Sequence, residues 1–357
     1  MVFNEMIARG HERVLFVQNA DVGLRAIIAI HNTKLGSALG GVRRWHYNSE
    51  ADALEDVLRL SEAMTYKAAA AHLPMGGAKS VIMLDKERAE PREAAARAMG
   101  RAVDTLRGDY IAAEDVGVDT QYIDWMAEET PHVMGGETIS RGGDPSPFTA
   151  QGVVNGMRAA LRFCGEEPAF KDKIVAIQGL GHVGWHIARI LIDEGAKIKA
   201  SDKYTDKLEK GKEELGIEVV NVNHILTTDC DILCPCALGG VINGQNIADI
   251  QAPIVCGAAN NILGDPEEDG AALKVRDILY APDFVVNAGG LIRLAGLWLN
   301  YGPEQLDSKI ANIEQTTMSI LDRARDEASS HHAAVEYARN IIENGIPEIS
   351  EGTVHAG

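Results

Sequence analysis

Two lysines, Lys67 and Lys79, flank a short turn and are the side chains best placed to do chemistry. Residues 74–77 between them read Pro-Met-Gly-Gly, with a helical pattern before the turn and an apolar, strand-like run after it. Because the lysines approach the turn from opposite sides, we expect their ammonium groups to meet in one cleft. A lysine beside another cation or in an apolar pocket has a lowered pKa and can act as a base. Two solvated surface lysines are the alternative, but the paired glycines favour a site that a ligand approaches closely.

A second candidate site is a glycine-rich loop between a predicted strand and a predicted helix. Residues 178–184 read Gln-Gly-Leu-Gly-His-Val-Gly, and the helix that follows is predicted to end at Gly195. Glycines at this spacing allow a tight turn and close approach of a pyrophosphate, whose charge the helix N-terminus stabilises. The next predicted strand ends at Asp202, whose carboxylate can accept hydrogen bonds from an adenine ribose. Asp202 favours NAD over NADP, because the 2′-phosphate of NADP would meet a like charge. Lys203, the next residue, carries a positive charge that weakens this argument.

Later strand-like runs supply further candidate contacts to a cofactor. Runs at residues 231–233, 253–256 and 283–286 each end in small or polar residues. Ligands in open α/β sheets bind outside the carboxyl ends of the strands. The segments 235–240, 257–261 and 287–290 are therefore expected to line the cofactor site.

The composition limits the partners and the redox compartment. At 357 residues the chain exceeds one ordinary core, so two domains are expected. The net charge of −18 argues against nucleic acid or an anionic membrane as a partner, and no apolar run is long enough to span a bilayer. Five cysteines without framework spacing indicate reduced thiols in the cytoplasm. No metal site is predicted, because the pairs Cys234 and Cys236, and His182 and His186, have no further ligands nearby.

The elements that must position these residues are typical of an α/β protein. Strands are predicted at residues 13–18, 23–30, within 37–45, 80–84, 110–113, 173–177 and 197–201. Helices are predicted from Ser49, as N-cap, to about 71, from Pro91 to before Gly108, and at 120–129. A Gly/Pro-rich linker at 135–147 marks a domain boundary, after which Thr149 is predicted to cap a helix that runs to about 163. From Glu304 onward the chain is predicted to be mostly helical.

Short segments from about residue 24 to residue 292 match the motifs of a known family in the same order. They are 39–41 (Leu-Gly-Gly), 64–67 (Met-Thr-Tyr-Lys), 76–79 (Gly-Gly-Ala-Lys), 113–117 (Ala-Glu-Asp-Val-Gly), 144–147, 179–184, 235–239, 257–261 and 280–290. Through them the chain resembles the amino-acid dehydrogenases of the glutamate, leucine, phenylalanine and valine group, and it looks most similar to leucine dehydrogenases. Ala78 replaces a glycine that is usual in the group. Residues 291–297 read Leu-Ile-Arg-Leu-Ala-Gly-Leu where leucine enzymes tend to read Val-Ile-Asn-Val-Ala-Asp-Glu, so the pocket floor is expected to differ.

The resemblance implies a two-domain enzyme with its active-site cleft between the domains. Residues 1–140 would form the substrate and oligomerisation domain, and residues 141–328 a Rossmann domain that binds NAD. Residues 329–357 would form a C-terminal helix that returns to the substrate domain. The implied partners are an amino acid, its 2-keto acid and ammonia, in a cytoplasmic homo-oligomer.

The resemblance also implies a role for individual residues. Lys67 would bind the substrate α-carboxylate, Lys79 would be the general base, and Asp115 would assist proton transfer. The other implied substrate contacts are Leu39, Gly40, Asn260, Leu291 and Leu294. The implied cofactor contacts are Thr149, Gly179, Leu180, Gly181, His182, Val183, Gly184, Asp202, Cys236, Ala237, Ala258, Asn260 and Asn287. The chemistry agrees, because hydride loss from Cα leaves an iminium, and a neutral amine beside a cation can deprotonate the attacking water.

Substrate preference follows from the residues expected around the side chain. In the glutamate enzymes a lysine precedes the Gly-Gly and pairs with the side-chain carboxylate, whereas this chain has Leu39. Burying a carboxylate among Leu39, Leu291 and Leu294 would cost several kcal/mol, while each added methylene gains about 0.8 kcal/mol. Leucine, valine or isoleucine is therefore predicted over glutamate, with phenylalanine next if Gly296 opens the pocket. Arg293 is predicted to lie on the outer face of its helix, since apolar residues flank it.

Two other classes of protein remain open. One is a different Rossmann oxidoreductase with a Lys/Asp pair, such as a hydroxy-acid or shikimate-type enzyme. The other is a non-catalytic NAD-binding regulator, which is disfavoured because Lys67, Lys79 and Asp115 are all present. Oxidation of NADH that depends on ammonia and a 2-keto acid separates the first class from an amino-acid dehydrogenase, and any turnover excludes the regulator.

Overall fold

The structure is a computed structural model that describes residues 2–85, 92–139 and 142–347. Two six-stranded sheets, one mixed and one parallel, confirm the predicted α/β class with two domains. The predicted helix start at Pro91 lies outside the described residues, as does the C-terminal segment from residue 348. In the part of the chain that the structure describes, no helix is long and apolar enough to cross a membrane.

The first sheet has the strand order β1-β2-β4-β3-β5-β6. Its strands are β1 (Arg13–Asn19), β2 (Leu24–Asn32), β3 (Ala38–Trp45), β4 (Gly76–Met83), β5 (Tyr110–Glu114) and β6 (Val133–Met134). The neighbours β1, β2 and β4 are antiparallel, whereas β4, β3, β5 and β6 run parallel. The helices are α1 (Val2–Arg9), α2 (Glu50–Ala70), α3 (Arg92–Asp104) and α4 (Thr120–Ala127). Strand β4 begins at Gly76, so the predicted start at residue 80 was too late and Lys79 lies inside the strand.

The alternation of side chains across this sheet separates two apolar layers. Ile27 packs with Val57 and Leu58 of α2 on one face, while its neighbour Ile28 packs with Met99 of α3 on the other. Helix α2 begins as predicted, because the Ser49 side chain accepts a hydrogen bond from a backbone amide of the first turn. Since α2 covers the face that holds Lys79, its C-terminal turn brings Lys67 to that same face.

The second sheet is fully parallel, with the order β9-β8-β7-β10-β11-β12. Its strands are β7 (Ile174–Gln178), β8 (Lys197–Ser201), β9 (Glu218–Val219), β10 (Ile232–Pro235), β11 (Ile254–Val255) and β12 (Leu279–Tyr280). The helices are α5 (Ser146–Phe163), α6 (His182–Asp193), α7 (Thr205–Leu215), α8 (Pro266–Val275), α9 (Asp283–Val286), α10 (Gly289–Trp298), α11 (Pro303–Arg323) and α12 (Ser330–Asn344). Strand order reverses between β7 and β10, which is where open α/β sheets bind dinucleotides.

Two predictions in this half were wrong. Residues 283–286 form the short helix α9 rather than a strand, and the sixth strand is the two-residue β12 just before it. A short apolar run does not distinguish a buried strand from a buried helix, and Pro282 starts the helix here. Thr149 is not a helix cap, because α5 starts at Ser146 and Thr149 lies in its first turn, where its hydroxyl donates to the Pro145 carbonyl.

The two C-terminal helices cross from one half of the molecule to the other. Ile313 of α11 shares an apolar cluster with Leu39 of the first sheet. Tyr337 of α12 bonds through its hydroxyl to the imidazole of His72, just after α2, at 2.8 Å. These helices therefore connect both walls of the cleft described next, while the limits of 1–140, 141–328 and 329–357 for the domains stay a prediction.

Candidate active site

A cleft of about 350 Å³ lies between the first sheet and the loops that follow the strands of the second. The first half contributes residues of β3, β4, α2 and the end of β5. The second half contributes Thr149, Val183, the segment 258–261 and the start of α10. Twelve of the predicted site residues line this one cleft: Leu39, Gly40, Lys67, Lys79, Asp115, Thr149, Val183, Ala258, Asn260, Asn287, Leu291 and Leu294.

Lys79 and Asp115 form an ion pair across strand β3. Lys79 Nζ lies 2.9 Å from Asp115 Oδ2, and Lys79 is only 6% exposed. Lys79 lies in β4 and Asp115 directly follows β5, on the other side of β3, and Gly41 of β3 lies between the two side chains. A β-carbon on Gly41 would lie 2.7 Å from Asp115 Cβ and 3.0 Å from Lys79 Nζ. The pair therefore requires glycine at this position.

Arg43 is a second cation on Asp115, and the sequence analysis did not identify it. Its Nε donates to Asp115 Oδ2 at 3.1 Å, and its guanidinium also contacts Asp56 Oδ2 at 3.0 Å. Asp56 in turn accepts from the Tyr47 hydroxyl at 2.7 Å. Residues 39, 41 and 43 share one face of β3, so the period of two from Gly41 was the signal that could have indicated Arg43.

These contacts set the protonation of the Lys79–Asp115 pair. Burial lowers the pKa of the Lys79 ammonium from its ordinary value, and the adjacent Asp115 carboxylate opposes that shift. Burial disfavours ionised Asp115, but Lys79 and Arg43 outweigh it and hold the pKa of that carboxyl below its usual value. Asp115 thus stays anionic, while the Lys79 ammonium loses its proton more readily than an ordinary lysine does, which suits a group that gives and takes a proton.

Lys67 reaches the cleft from the C-terminal turn of α2. Its Nζ donates to Asn260 Oδ1 at 3.3 Å, and Asn287 Nδ2 donates to the same oxygen at 3.0 Å. Burial lowers the pKa of Lys67 to about 8; Lys79 acts in the same direction, and the buried carboxylate of Asp283 opposes it. A cation held by neutral amides, with no direct ion pair among the described residues, is free to bind an incoming carboxylate.

The remaining wall of the cleft is apolar. Leu39 and Leu291 are buried and belong to one cluster, against which Met64 and Leu294 pack. Arg293 does not line the cleft, because its guanidinium lies over the Phe148 ring at 5.3 Å from the centroid. Gly296 does not enlarge it either, because a β-carbon there would face Leu306 and Tyr301 at 3.2 and 3.3 Å. The pocket thus offers space for an apolar group.

The glycine loop is built to receive a phosphate. Gly179 has φ of +102°, and a β-carbon on Gly184 would lie 2.1 Å from the Gly179 carbonyl oxygen, so both turn and helix packing require glycine. Gly181 faces open space and is the N-cap of α6 without a side-chain capping bond. The first amides of α6 therefore remain available to an anion, as a nicotinamide dinucleotide requires.

The other predicted cofactor residues support this loop rather than line the cleft. Asp202 Oδ2 accepts from the Leu180 amide at 2.8 Å, and Oδ1 accepts from the Tyr204 amide at 2.9 Å. Ala237 packs on Gly179, with its Cβ 2.9 Å from the position of a β-carbon there. Cys236 contacts the Cys234 thiol, with 3.4 Å between the sulfurs. Leu180, Gly181 and His182 line a neighbouring cavity together with Asp144 and Trp185.

Comparison with known proteins adds independent findings. Residues 11–132 match the model of the Glu/Leu/Phe/Val dehydrogenase dimerisation domain, and residues 198–338 match that of glutamate/leucine/phenylalanine/valine dehydrogenase. Leucine dehydrogenase from Geobacillus stearothermophilus is 43% identical over 96% of this chain and 93% of its own length. Phenylalanine dehydrogenase from Thermoactinomyces intermedius is 40% identical over 91% and 89%. The crystal structure of L-tryptophan dehydrogenase from Nostoc punctiforme matches with a TM-score of 0.85 and 37% identity, over 97% of this chain and 99% of that chain.

Proposed function

The chain belongs to the Glu/Leu/Phe/Val dehydrogenase family, and we propose that it reversibly converts leucine or another branched-chain L-amino acid to its 2-keto acid and ammonia with NAD. Membership makes it an oxidoreductase that acts on CH–NH₂ groups with a nicotinamide cofactor. The observation that carries the proposal is the convergence of Lys67, the Lys79–Asp115 pair and a leucine-lined pocket in one cleft beside the glycine loop.

Each side chain in the cleft has a step that suits its position. Lys67 and the Asn260 amide hold the substrate α-carboxylate, which fixes Cα over the sheet. When bound, a nicotinamide would supply the acceptor for the hydride of Cα, and loss of that hydride from the neutral amine form of the substrate would leave an iminium. Lys79, in its neutral form, takes a proton from the water that attacks this carbon. Asp115 keeps Lys79 oriented and stabilises the ammonium that results. The proton then passes from Lys79 to the amine of the carbinolamine, and Lys79 takes up the hydroxyl proton as ammonia leaves and the keto group forms.

The preference for NAD rests on Asp202. Its carboxylate is fixed by two backbone amides at the end of β8, and each oxygen keeps a lone pair for a ribose hydroxyl. A 2′-phosphate would bring negative charge against this carboxylate. The nearby Lys203 does not offset this directly, because its ammonium lies over the Tyr204 ring at 4.7 Å.

The preference for an aliphatic side chain rests on Leu39, Leu291 and Leu294. They offer no hydrogen-bond donor to a γ-carboxylate, whose burial without a partner is unfavourable. The names of the relatives support an apolar substrate side chain, since a leucine and a phenylalanine dehydrogenase align over nearly the full chain. The aromatic alternative has less support, because Gly296 faces away from the pocket.

The decisive experiment is a substrate panel. Purified protein is given ammonium, NADH and one 2-keto acid at a time: the keto acids of leucine, valine, isoleucine, phenylalanine and glutamate. We expect the highest kcat/KM with a branched-chain keto acid and no NADH oxidation without ammonium. A preference for 2-oxoglutarate or phenylpyruvate would contradict the substrate assignment, and ammonium-independent turnover would favour a hydroxy-acid enzyme.

We also propose that residues 1–140 carry the subunit contacts of a cytoplasmic homo-oligomer. The support is that residues 11–132 match a domain described as a dimerisation domain. Phe3 and Ile7 of α1 and Phe16 of the edge strand β1 are more than half exposed, which suits a covered surface. Light scattering of the purified chain tests this, and a monomer at micromolar concentration would contradict it.

A further inference from the structure

Glu114 is a charged side chain in the cleft that the proposed mechanism does not use. It is the last residue of β5 and precedes Asp115. Asp115 is held by Lys79 and Arg43, but the half-buried Glu114 carboxylate makes no hydrogen bond or ion pair with any residue in the described ranges. A carboxylate that is partly desolvated and unpaired is costly, so its presence in a ligand cleft calls for a function.

The surroundings of Glu114 place it at the rim of the side-chain pocket. A β-carbon on Gly135 would lie 3.6 Å from Glu114 Cγ. Gly142 is packed against Gly135, and a β-carbon on Gly142 would lie 3.4 Å from Leu294 Cδ2. Leu294 is one of the leucines that line the apolar pocket. Glu114 and Leu294 therefore border the same opening, with only small glycines between them.

The charged groups that shift the pKa of Glu114 are all carboxylates. The carboxylates that act on it are those of Asp144, on the linker after the first domain, Asp119, before α4, and Asp115. Burial and these three anions raise the pKa of Glu114 above its ordinary value. Lys79 and Arg43, two cations that line the same cleft, are engaged by Asp115.

We propose that Glu114 sets the charge of the substrate side chain that the cleft accepts. This rests on the proposed amino-acid dehydrogenase function and deepens it. An anionic side chain, such as that of glutamate, meets an unpaired carboxylate as it enters, whereas a cationic side chain finds a partner. Leucine, being neutral, is indifferent to Glu114. Discrimination against glutamate thus has a repulsive component besides the missing lysine at Leu39.

The test is Glu114→Gln, which keeps size and polarity and removes the charge. We measure kcat/KM for leucine, glutamate and lysine at pH 8. The ratio of glutamate to leucine should rise about tenfold, and the ratio of lysine to leucine should fall about tenfold, with leucine itself within threefold of wild type. A pocket that is merely loosened would move both ratios in the same direction, so opposite shifts identify the charge.

Two controls complete the experiment. Glu218→Gln in β9 makes the same change of net charge on the exposed far side of the second sheet and should leave both ratios within twofold. In wild type, the glutamate-to-leucine ratio should rise as the pH is lowered from 8 toward the raised pKa of Glu114, which gives an answer even if the variant does not fold. Where glutamate turnover is too slow to measure, kcat/KM for glutamate is replaced by the inhibition constant of 2-oxoglutarate, measured in competition with the keto acid of leucine.

Unchanged ratios, or ratios that move together, would overturn the role of Glu114. If the variant cannot be obtained, a glutamate-to-leucine ratio that does not change with pH in wild type would also overturn it. Absence of leucine turnover in wild type would instead contradict the proposed function, so the two failures are distinguishable.

Discussion

The two walls of the cleft differ in how far they are assembled before any ligand arrives. On the first sheet, Lys79 and Arg43 both bond to Asp115, and Gly41 has no room for a side chain. On the glycine loop, Gly181 faces open space and the first amides of α6 have no side-chain cap. The catalytic ion pair of the first wall is internally satisfied, whereas the wall that binds phosphate leaves its donors for the ligand.

This difference predicts which kinetic constant a substitution changes. A preformed, buried ion pair fixes the geometry of the reacting groups, so damage there reduces kcat. Open donors become useful only when the ligand binds, so damage to the loop or its support reduces affinity for the cofactor. Lys67 lies between these cases, because it belongs to the first wall but bonds to Asn260 of the second.

The largest effect is expected for Lys79→Ala. Loss of the general base should lower kcat by roughly a hundredfold or more. Cofactor affinity, followed by the fluorescence of bound NADH, should not change, because Lys79 lies outside the loop. Lys171→Ala removes an exposed lysine and serves as the control. If Lys79→Ala keeps a kcat near that of wild type at saturating substrate, Lys79 is not the general base and the two walls do not differ in the way described.

A smaller effect, on binding, is expected for Lys67→Ala. A hydrogen bond to a charged group contributes about 1.5–3 kcal/mol, so KM for the 2-keto acid should rise roughly ten- to a hundredfold. The fall in kcat should be much smaller than for Lys79→Ala. Lys67→Arg keeps the positive charge and should recover part of the affinity. If KM stays at the wild-type value, the carboxylate binds elsewhere.

The pH dependence of the same constant gives a third, milder test. The protonated form of Lys67 binds the carboxylate, and its fraction falls as pH rises through the pKa of about 8. KM for the keto acid, at saturating ammonia, should therefore rise about tenfold from pH 7 to pH 9. In Lys67→Arg the rise should disappear, because arginine stays charged. A flat profile in wild type would mean that Lys67 does not titrate in this range.

The smallest effect is expected for Asp202→Asn on the loop. The change removes the charge and keeps an acceptor oxygen for one of the two backbone amides, whereas alanine would leave both without an acceptor. The preference for NAD over NADP in kcat/KM should narrow by several-fold, with kcat for NAD nearly unchanged. Asp206→Ala removes an exposed charge of the same sign in the first turn of α7 and should not narrow it. A wild-type preference for NADP would contradict the assignment outright.

Features that depend on a short stretch of sequence were the ones that could be predicted. The glycine loop and the Ser49 cap were predicted correctly, because turn and cap requirements are local. The α/β fold class was also predicted correctly. Lys67 and Lys79 line one cleft as expected, because both flank one turn. The run at 283–286 was misassigned, since four apolar-rich residues fit either a helix or a strand.

What the sequence could not supply was contact between distant segments. Arg43 meets Asp115 across neighbouring strands, 72 positions apart, and nothing local to Arg43 indicates that partner. Glu114 was part of a recognised motif, but only the structure shows that its neighbour Asp115 has partners and that Glu114 has none among the described residues. Pairing of charges is a property of the folded chain, and it distinguishes two adjacent carboxylates of similar type.

The tight packing at Gly40 and Gly41 has a practical meaning for altering this cleft by directed evolution. A β-carbon on Gly40 would lie 1.7 Å from the Ala78 carbonyl oxygen, and one on Gly41 would enter the ion pair. Randomised libraries that include either position would consist mostly of inactive clones. Diversity is better placed at Glu114 and Leu294, whose partly buried side chains border the pocket. The two glycines thus divide the lining into a fixed part and an adjustable part.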